Sequence, residues 1–349
     1  MLEIGPQHNP DYRSEVLSRF FQHVKSTESF YVIGAASMGK TRLLDFLLKP
    51  EVQEYYLGQD AKSHWLVRVD LNRLPAQQES WTFYELLLSS LFLDINSHEN
   101  ILHLRDEIAK LDSEVIERRD HLHALRFFEL AVDRLCQVYE MKLCFLFDEF
   151  DEAYKTLPAE IFRQLRGVRD ANKNRISFAL FLRQLPELLR PPTNNESFYE
   201  LLSRNGVGLG PYNRADALRI FEQVETRRQI TLTGEQRERL LEASGGHAGI
   251  IQALLTALVD KSPSLPAFGQ PGWIETLGRQ PAVTEECRKI FEGLGQDEQE
   301  GLRAFGRGEG ASIPPTIEKS LFTKGLLKRE SGDARFFCRI FEQYIKGLR

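Results

Sequence analysis

Apolar positions along this chain fall into two rhythms, short unbroken runs and longer stretches spaced at three and four residues. Phe30-Tyr31-Val32-Ile33 is an unbroken run, rich in aromatic and β-branched residues, and predicts a short buried strand. After it, Leu43, Leu44, Leu47 and Leu48 recur at helical spacing until Pro50 ends the pattern. The order is therefore strand, glycine-bounded loop, helix. Trp65 to Leu71 predicts a second strand, and Trp81 to Leu93 a helix rich in Leu and Phe. From about 94 to 120 the residues are mostly charged, with Ile101, Leu104, Ile108 and Leu111 only at intervals, which predicts an exposed helical insertion or simply a solvated face. A helix from about His121 to Tyr139 leads into the apolar strand Leu143–Phe147. A helix near 158–170 precedes a further strand, Ile176–Leu182, and Gly206-Val207-Gly208-Leu209 suits a last short one.

Strands that are apolar throughout and alternate with helices argue for a parallel sheet covered on both faces. Residues 1–210 are thus expected to form one α/β domain. From Pro211 the pattern is helical only, with segments near 213–228, 233–243 and 248–260. Lys261 to Gly272 is rich in Pro, Gly and Ser and predicts a linker. Beyond it, helices near 283–293, 296–305 and 314–324 precede Leu326–Arg329 and Arg335–Cys338, which flank the turn Ser331-Gly332-Asp333 as a hairpin does. Three helices and a hairpin are the make-up of a winged helix, placed at 263–349.

Composition narrows the classes. The 349 residues carry 45 basic and 50 acidic side chains, a net of −5, which argues against a general polyanion binder and leaves a local basic patch open. No run approaches the ~18 apolar residues that span a bilayer. The start, Met1-Leu2-Glu3-Ile4-Gly5-Pro6, lacks the basic and apolar regions of a secretory signal. Cys136, Cys144, Cys287 and Cys338 show no CxxC spacing, so neither a zinc site nor a disulfide framework is expected. A reducing, cytoplasmic setting follows as the expectation.

Gly34-Ala35-Ala36-Ser37-Met38-Gly39-Lys40-Thr41 matches G-x-x-x-x-G-K-[ST] in full and sits between a strand and a helix, the context the motif requires. Its glycines let backbone N–H groups wrap an anion, with Lys40 reaching the outer phosphates and Thr41 the Mg²⁺. The helix that starts near Gly39 adds its positive end, with Arg42 in its first turn. At the end of the strand at 143–147 stand Asp148 and Glu149, candidates for the Mg²⁺ partner and for the base that polarises an attacking water. The alternative is a helix start that favours acids, the reading preferred for Asp151 and Glu152. Arg183 follows the strand Ile176–Leu182 and is either a phosphate-reaching cation or an ordinary strand-end arginine. Arg166, Arg169 and Arg175 are candidates for a charge offered to a neighbouring protomer, or solvated residues. Ser244-Gly245-Gly246-His247 permits a tight helix-to-helix turn, with His247 opening the next helix and able to face the nucleotide. His8, His64, His98, His103, His121 and His123 show no ligand spacing and read as surface residues.

On these residues the chain resembles the STAND and Orc1/Cdc6-like branch of AAA+ P-loop ATPases. The shared features are Gly34–Thr41, Asp148-Glu149-Phe150-Asp151, the strand end Phe181-Leu182-Arg183, the turn at 244–247 and the C-terminal winged helix. The resemblance covers essentially the whole chain. It implies a P-loop core at 1–210, a helical lid at 211–262 and a winged helix at 263–349, with ATP or ADP and Mg²⁺ between core and lid. It departs at Ala248, where the family has Pro, and at Phe337-Cys338-Arg339, where signalling members carry Met-His-Asp to hold ADP.

Two function classes follow. The first is a switch ATPase that couples nucleotide state to assembly with protein partners or with copies of itself, in bacterial signalling or defence. The second is a DNA-engaging ATPase of the initiator or transposition-loader kind. Residues 263–349 hold 13 basic and 12 acidic side chains, weak for phosphate-driven binding, although Lys324, Lys328, Arg329, Arg335 and Arg339 form a local cluster. The choice of base is assigned to residues near Asn9–Arg13.

Overall fold

A computed structural model describes residues 9, 11–75, 79–259 and 272–348. The predicted linker, apart from Gly272, lies outside the described residues. In chain order, α1 (Ser14–Ser26) leads into β1 (Phe30–Ile33), which is buried throughout. Next come α2 (Lys40–Leu47) and α3 (Pro50–Leu57). Pro50 ends one helix and starts the next, because its missing N–H and fixed φ suit a first turn. β2 (His64–Asp70), α4 (Ser80–Asp94), α5 (Arg105–Arg118), α6 (His121–Asp133) and β3 (Lys142–Asp148) follow. Then come α7 (Asp151–Thr156), α8 (Ala159–Ala171), β4 (Ile176–Leu182), α9 (Pro186–Leu189), α10 (Glu196–Leu202) and β5 (Gly206–Gly208).

The described chain divides into two compact units. One comprises Ser18–Val32 and Leu47–Val207; the other takes residues up to Leu17, Ile33–Phe46 and Gly208 onward. The first is built on a parallel sheet of order β2-β3-β4-β1-β5, with Val67 opposite Phe145 and Phe145 opposite Phe178. β4 is buried along its whole length and β3 from Leu143 onward, which is why both read as apolar runs, broken only by Ser177 in β4 and ended by Asp148 in β3. Phe145 and Phe147 stack on Phe178 at 6.3 and 5.8 Å between ring centroids, tying β3 to β4. The charged stretch from 94 to 120 is helical as expected but is not merely exposed. Ile101, Leu104, Ile108 and Val115 are buried, and α5 packs on α4 and α6. Four apolar residues at helical intervals suffice for a one-sided helix when the other face keeps its charges in water.

The second unit contains α11 (Arg214–Arg228), α12 (Gly234–Ser244), α13 (Ala248–Val259), α14 (Trp273–Gly278), α15 (Pro281–Glu292), α16 (Gln296–Gly306) and α17 (Pro315–Thr323). β6 (Leu327–Glu330) and β7 (Asp333–Phe336) form an antiparallel hairpin, and α18 (Arg339–Gly347) follows. Asn213 caps α11, and Thr233 with Gln236 forms a capping box on α12, so these starts are written in the sequence. α1, α3, α9, α10, α14 and α18 were not expected from periodicity.

Candidate functional site

The loop after β1 is held by close backbone contacts. A side chain at Gly34 would bring its Cβ within 3.0 Å of the Leu209 carbonyl oxygen, and Leu209 N–H donates to Ile33 O at 2.7 Å. Ala35 and Met38 are buried beneath the loop, while Ser37 and Thr41 are exposed. Ser37 (φ +58°) and Gly39 (φ +87°) adopt left-handed conformations, the kind of backbone that gathers successive N–H groups into an anion-binding concavity. Lys40, at the start of α2, is 9% exposed, and its ammonium donates to Gly34 O at 2.7 Å and Ala35 O at 3.3 Å. Its charge is therefore held at the loop. Arg42 lies exposed in the first turn of α2.

Arg13 braces this loop from within the same unit. Its guanidinium donates to Met38 O and Gly210 O, both at 2.8 Å, and lies 3.9 Å from the centre of the Tyr212 ring. Its backbone N–H donates to Asp216 at 2.9 Å. An Arg in a left-handed conformation (φ +50°) signals that several contacts fix it, and no spacing rule announces them.

His247 is fully buried. It caps α13: its carbonyl accepts from Ile251 N–H at 2.9 Å and its Nδ1 from Ile250 N–H at 3.3 Å. Its ring packs against Phe337 at 5.7 Å, and Nε2 faces the Ala36 backbone without a well-formed hydrogen bond. Burial drives its pKa down to about 3 against the opposing pull of the Ala36 backbone, so the ring is neutral. The turn before it needs both glycines. A Cβ at Gly245 would lie 2.4 Å from Phe337 O, and one at Gly246 would lie 2.3 Å from Tyr212 O.

In the sheet-bearing unit, the end of β3 is fixed by two buried rings. Phe147 and Phe150 stack at 4.8 Å, and Phe150 N–H donates to Phe181 O at 3.3 Å. Between them the chain turns sharply, with Glu149 at φ +53°. Asp148 is buried and its Oδ2 accepts from Arg68 at 2.7 Å. Burial raises the Asp148 pKa, and the Arg68 guanidinium pulls against that. Arg183 pairs with Glu149 at 2.6 Å. Asp151 is the first residue of α7, as expected of a helix-start acid, and its carboxylate also accepts from the N–H groups of Arg183 and Gln184 at 2.8 and 3.2 Å. Arg68 was not anticipated; only the β2–β3 pairing brings it to Asp148.

The remaining candidates sort by their partners. Arg166 and Arg169 pair with Asp170, and Arg175 with Glu140. His64, expected at the surface, is 2% exposed and hydrogen-bonds Asp60 O through Nδ1 at 2.8 Å. One member of the basic cluster of the C-terminal segment, Lys324, is corrected too. Lys324 is fully buried, and its ammonium contacts Glu298 at 2.5 Å, with Ser320 on the same carboxylate. Lys328 and Arg335 face Glu330, Arg329 faces Glu318 and Arg339 faces Glu275. All four cysteines are buried free thiols, and no described helix is long and apolar enough to cross a membrane.

Solved structures share this architecture. The Walker-type ATPase PABY2304 of Pyrococcus abyssi aligns at a TM-score of 0.57 and 13% identity, over 96% of this chain and 95% of that one. The fold, a parallel five-stranded sheet with helices, is thus one this chain shares with that Walker-type ATPase. The ORC2 protein of Aeropyrum pernix in its ADP form aligns at 0.50 and 16% identity, over 96% and 93% of the two chains. At such identity the likeness concerns the fold, and the chemistry rests on the residues. No protein-family model and no curated relative matches the sequence.

Proposed function

We propose that this chain is a Mg²⁺-dependent ATPase acting as a switch of the STAND or Orc1/Cdc6-like kind, cytoplasmic, whose nucleotide state governs assembly with protein partners or with further copies of itself. The observation that carries this reading is the loop at 34–41: a complete motif, two left-handed residues and a buried ammonium at its carbonyls. An ammonium held at the loop's carbonyls stands where it can also donate to a phosphate bound by the loop. The Aeropyrum pernix neighbour is an ADP form, which makes adenine nucleotides the first ligands to test.

The roles follow from side-chain chemistry. Gly34 to Gly39 supply amides, and Lys40 the charge for the outer phosphates. Thr41 and Asp148 are oxygen donors of the kind Mg²⁺ takes in ones and twos, the rest of its shell being phosphate and water. Among the described residues no cluster of His, Cys, Asp or Glu forms a metal cage, and such a site needs none. Mg²⁺, when bound, neutralises phosphate charge. Glu149 orients the attacking water and accepts its proton, a task its pairing with Arg183 restrains. Arg183 is then free to serve the departing charge once that pairing opens. His247 acts through Ala36 rather than on the nucleotide itself. DNA engagement is the less supported reading, because the basic side chains proposed for it are paired with carboxylates or buried.

Calorimetry with Mg-ADP and a non-hydrolysable ATP analogue tests this. Lys40→Ala should weaken binding at least tenfold. Glu149→Gln should retain binding and lower turnover by about 10²–10⁴-fold, the usual worth of a general base. No affinity of the native chain for any Mg-nucleotide would refute the reading, and unchanged turnover would remove Glu149 from it. Solution mass with ATP, ADP and neither reads the assembly step.

A further inference from the structure

One face of α15 touches the phosphate loop. Gly249, in the first turn of α13, has no side chain, and a Cβ built there would lie 1.9 Å from Glu286 Oε1 and 3.0 Å from Ser37 Cβ. The Glu286 carboxyl therefore fills the space that Gly249 leaves open and is an immediate neighbour of Ser37. Two helical turns further on, Gly293 caps α15, and a Cβ there would lie 3.1 Å from the Ala36 Cβ. Glu286, Ile290 and Gly293 share one face of the helix, and Ile290 is fully buried. The contact is thus a packed surface and not a single side chain in passing.

The Glu286 carboxyl is ill served by its surroundings. Oε1 is shut off from water and has no hydrogen-bond partner. A buried carboxylate oxygen without a donor costs free energy. The N-terminal end of α13, where Gly249 sits in the first turn, offsets part of that cost. Phosphates gripped by the loop that includes Ser37 would bring negative charge toward this carboxylate. Each added phosphoryl group brings further negative charge, and like charges repel more strongly the closer they lie.

We infer that Glu286 is an autoinhibitory residue that selects against the triphosphate. With Glu286 against Ser37 the loop favours ADP, and Mg-ATP binds only as α15 withdraws its carboxylate. This rests on the nucleotide-binding reading of residues 34–41 and adds the regulation of that site. It also gives Gly249 a role: only a residue without a Cβ lets the carboxyl reach the loop.

The test compares Mg-ADP with a non-hydrolysable Mg-ATP analogue by calorimetry on the full chain. Glu286→Gln keeps the shape and removes the charge. It should raise affinity for the ATP analogue roughly tenfold, about 1.4 kcal/mol, while ADP affinity changes far less. Gly249→Ala, whose methyl group displaces the carboxyl, should shift the ratio in the same sense and add little on top of Glu286→Gln. Glu286→Ala provides the same comparison should the amide pack poorly. An unchanged ATP-to-ADP ratio in variants that still bind both nucleotides would overturn the inference and leave the binding reading standing. Failure of the native chain to bind either nucleotide would instead overturn the binding reading, and this inference with it.

Discussion

Acidification should unfold the helical unit through His247, and the size of the effect follows from its burial. In the unfolded chain an imidazole takes up a proton near pH 6.5; in the fold its pKa is lowered to about 3. A group with a depressed folded pKa leaves stability intact above the unfolded value and removes it as pH falls toward the folded one. The window here is pH 6.5 down to 3. At about 1.36 kcal/mol per pH unit for one proton, the loss from pH 7 to pH 5 is about 2 kcal/mol. Protonation at Nδ1 would also end the cap on Ile250 N–H. His247→Asn separates these effects, since Asn caps helices well and does not titrate in this range. The assay is urea unfolding at pH 7, 6 and 5, read from Trp273, which is buried in this unit. The variant should start lower, through lost packing against Phe337, but should show the shallower pH slope by about 2 kcal/mol over that span. Equal slopes, or a His247 ring resonance titrating above pH 5, would refute the reasoning.

Other outcomes follow from buried charge. Lys324→Met should destabilise the helical unit by about 3–5 kcal/mol in chemical unfolding, because Glu298 is left charged and without its ammonium; adding Glu298→Gln should recover much of it. Asp112, between α4 and α5, has its pKa pushed up to about 6 by burial, with the Glu85 carboxylate adding to the effect and Arg73 opposing it. Its contribution is present below pH 3.8 and lost as pH rises through about 6. Asp112→Asn should therefore stabilise the sheet-bearing unit at pH 7, by about 1 kcal/mol after allowing for its partial exposure, and not at pH 4.

The primary sequence by itself determined the local features of this protein. Apolar runs at 30–33, 143–147 and, but for Ser177, 176–182 become strands because buried parallel strands need both faces apolar. The motif at 34–41 is local as well: its spacing alone specifies a loop between a strand and a helix, and that is where it lies. Asp148 and Glu149 could be named because the run before them ends at a sheet edge. Short helices such as α3 and α14 escaped notice, since one or two turns give too little periodicity to detect. Only the tertiary structure decided which groups meet. Arg68 reaches Asp148 through strand register, and Arg13 reaches Met38 across 25 positions of sequence. Lys324 looks like any surface lysine until folding buries it on Glu298, and Glu286 like any helix-face acid until the missing Cβ of Gly249 admits it to the loop. Pairing between distant segments depends on which surfaces remain apolar once every element has formed, and no window of neighbouring residues contains that information.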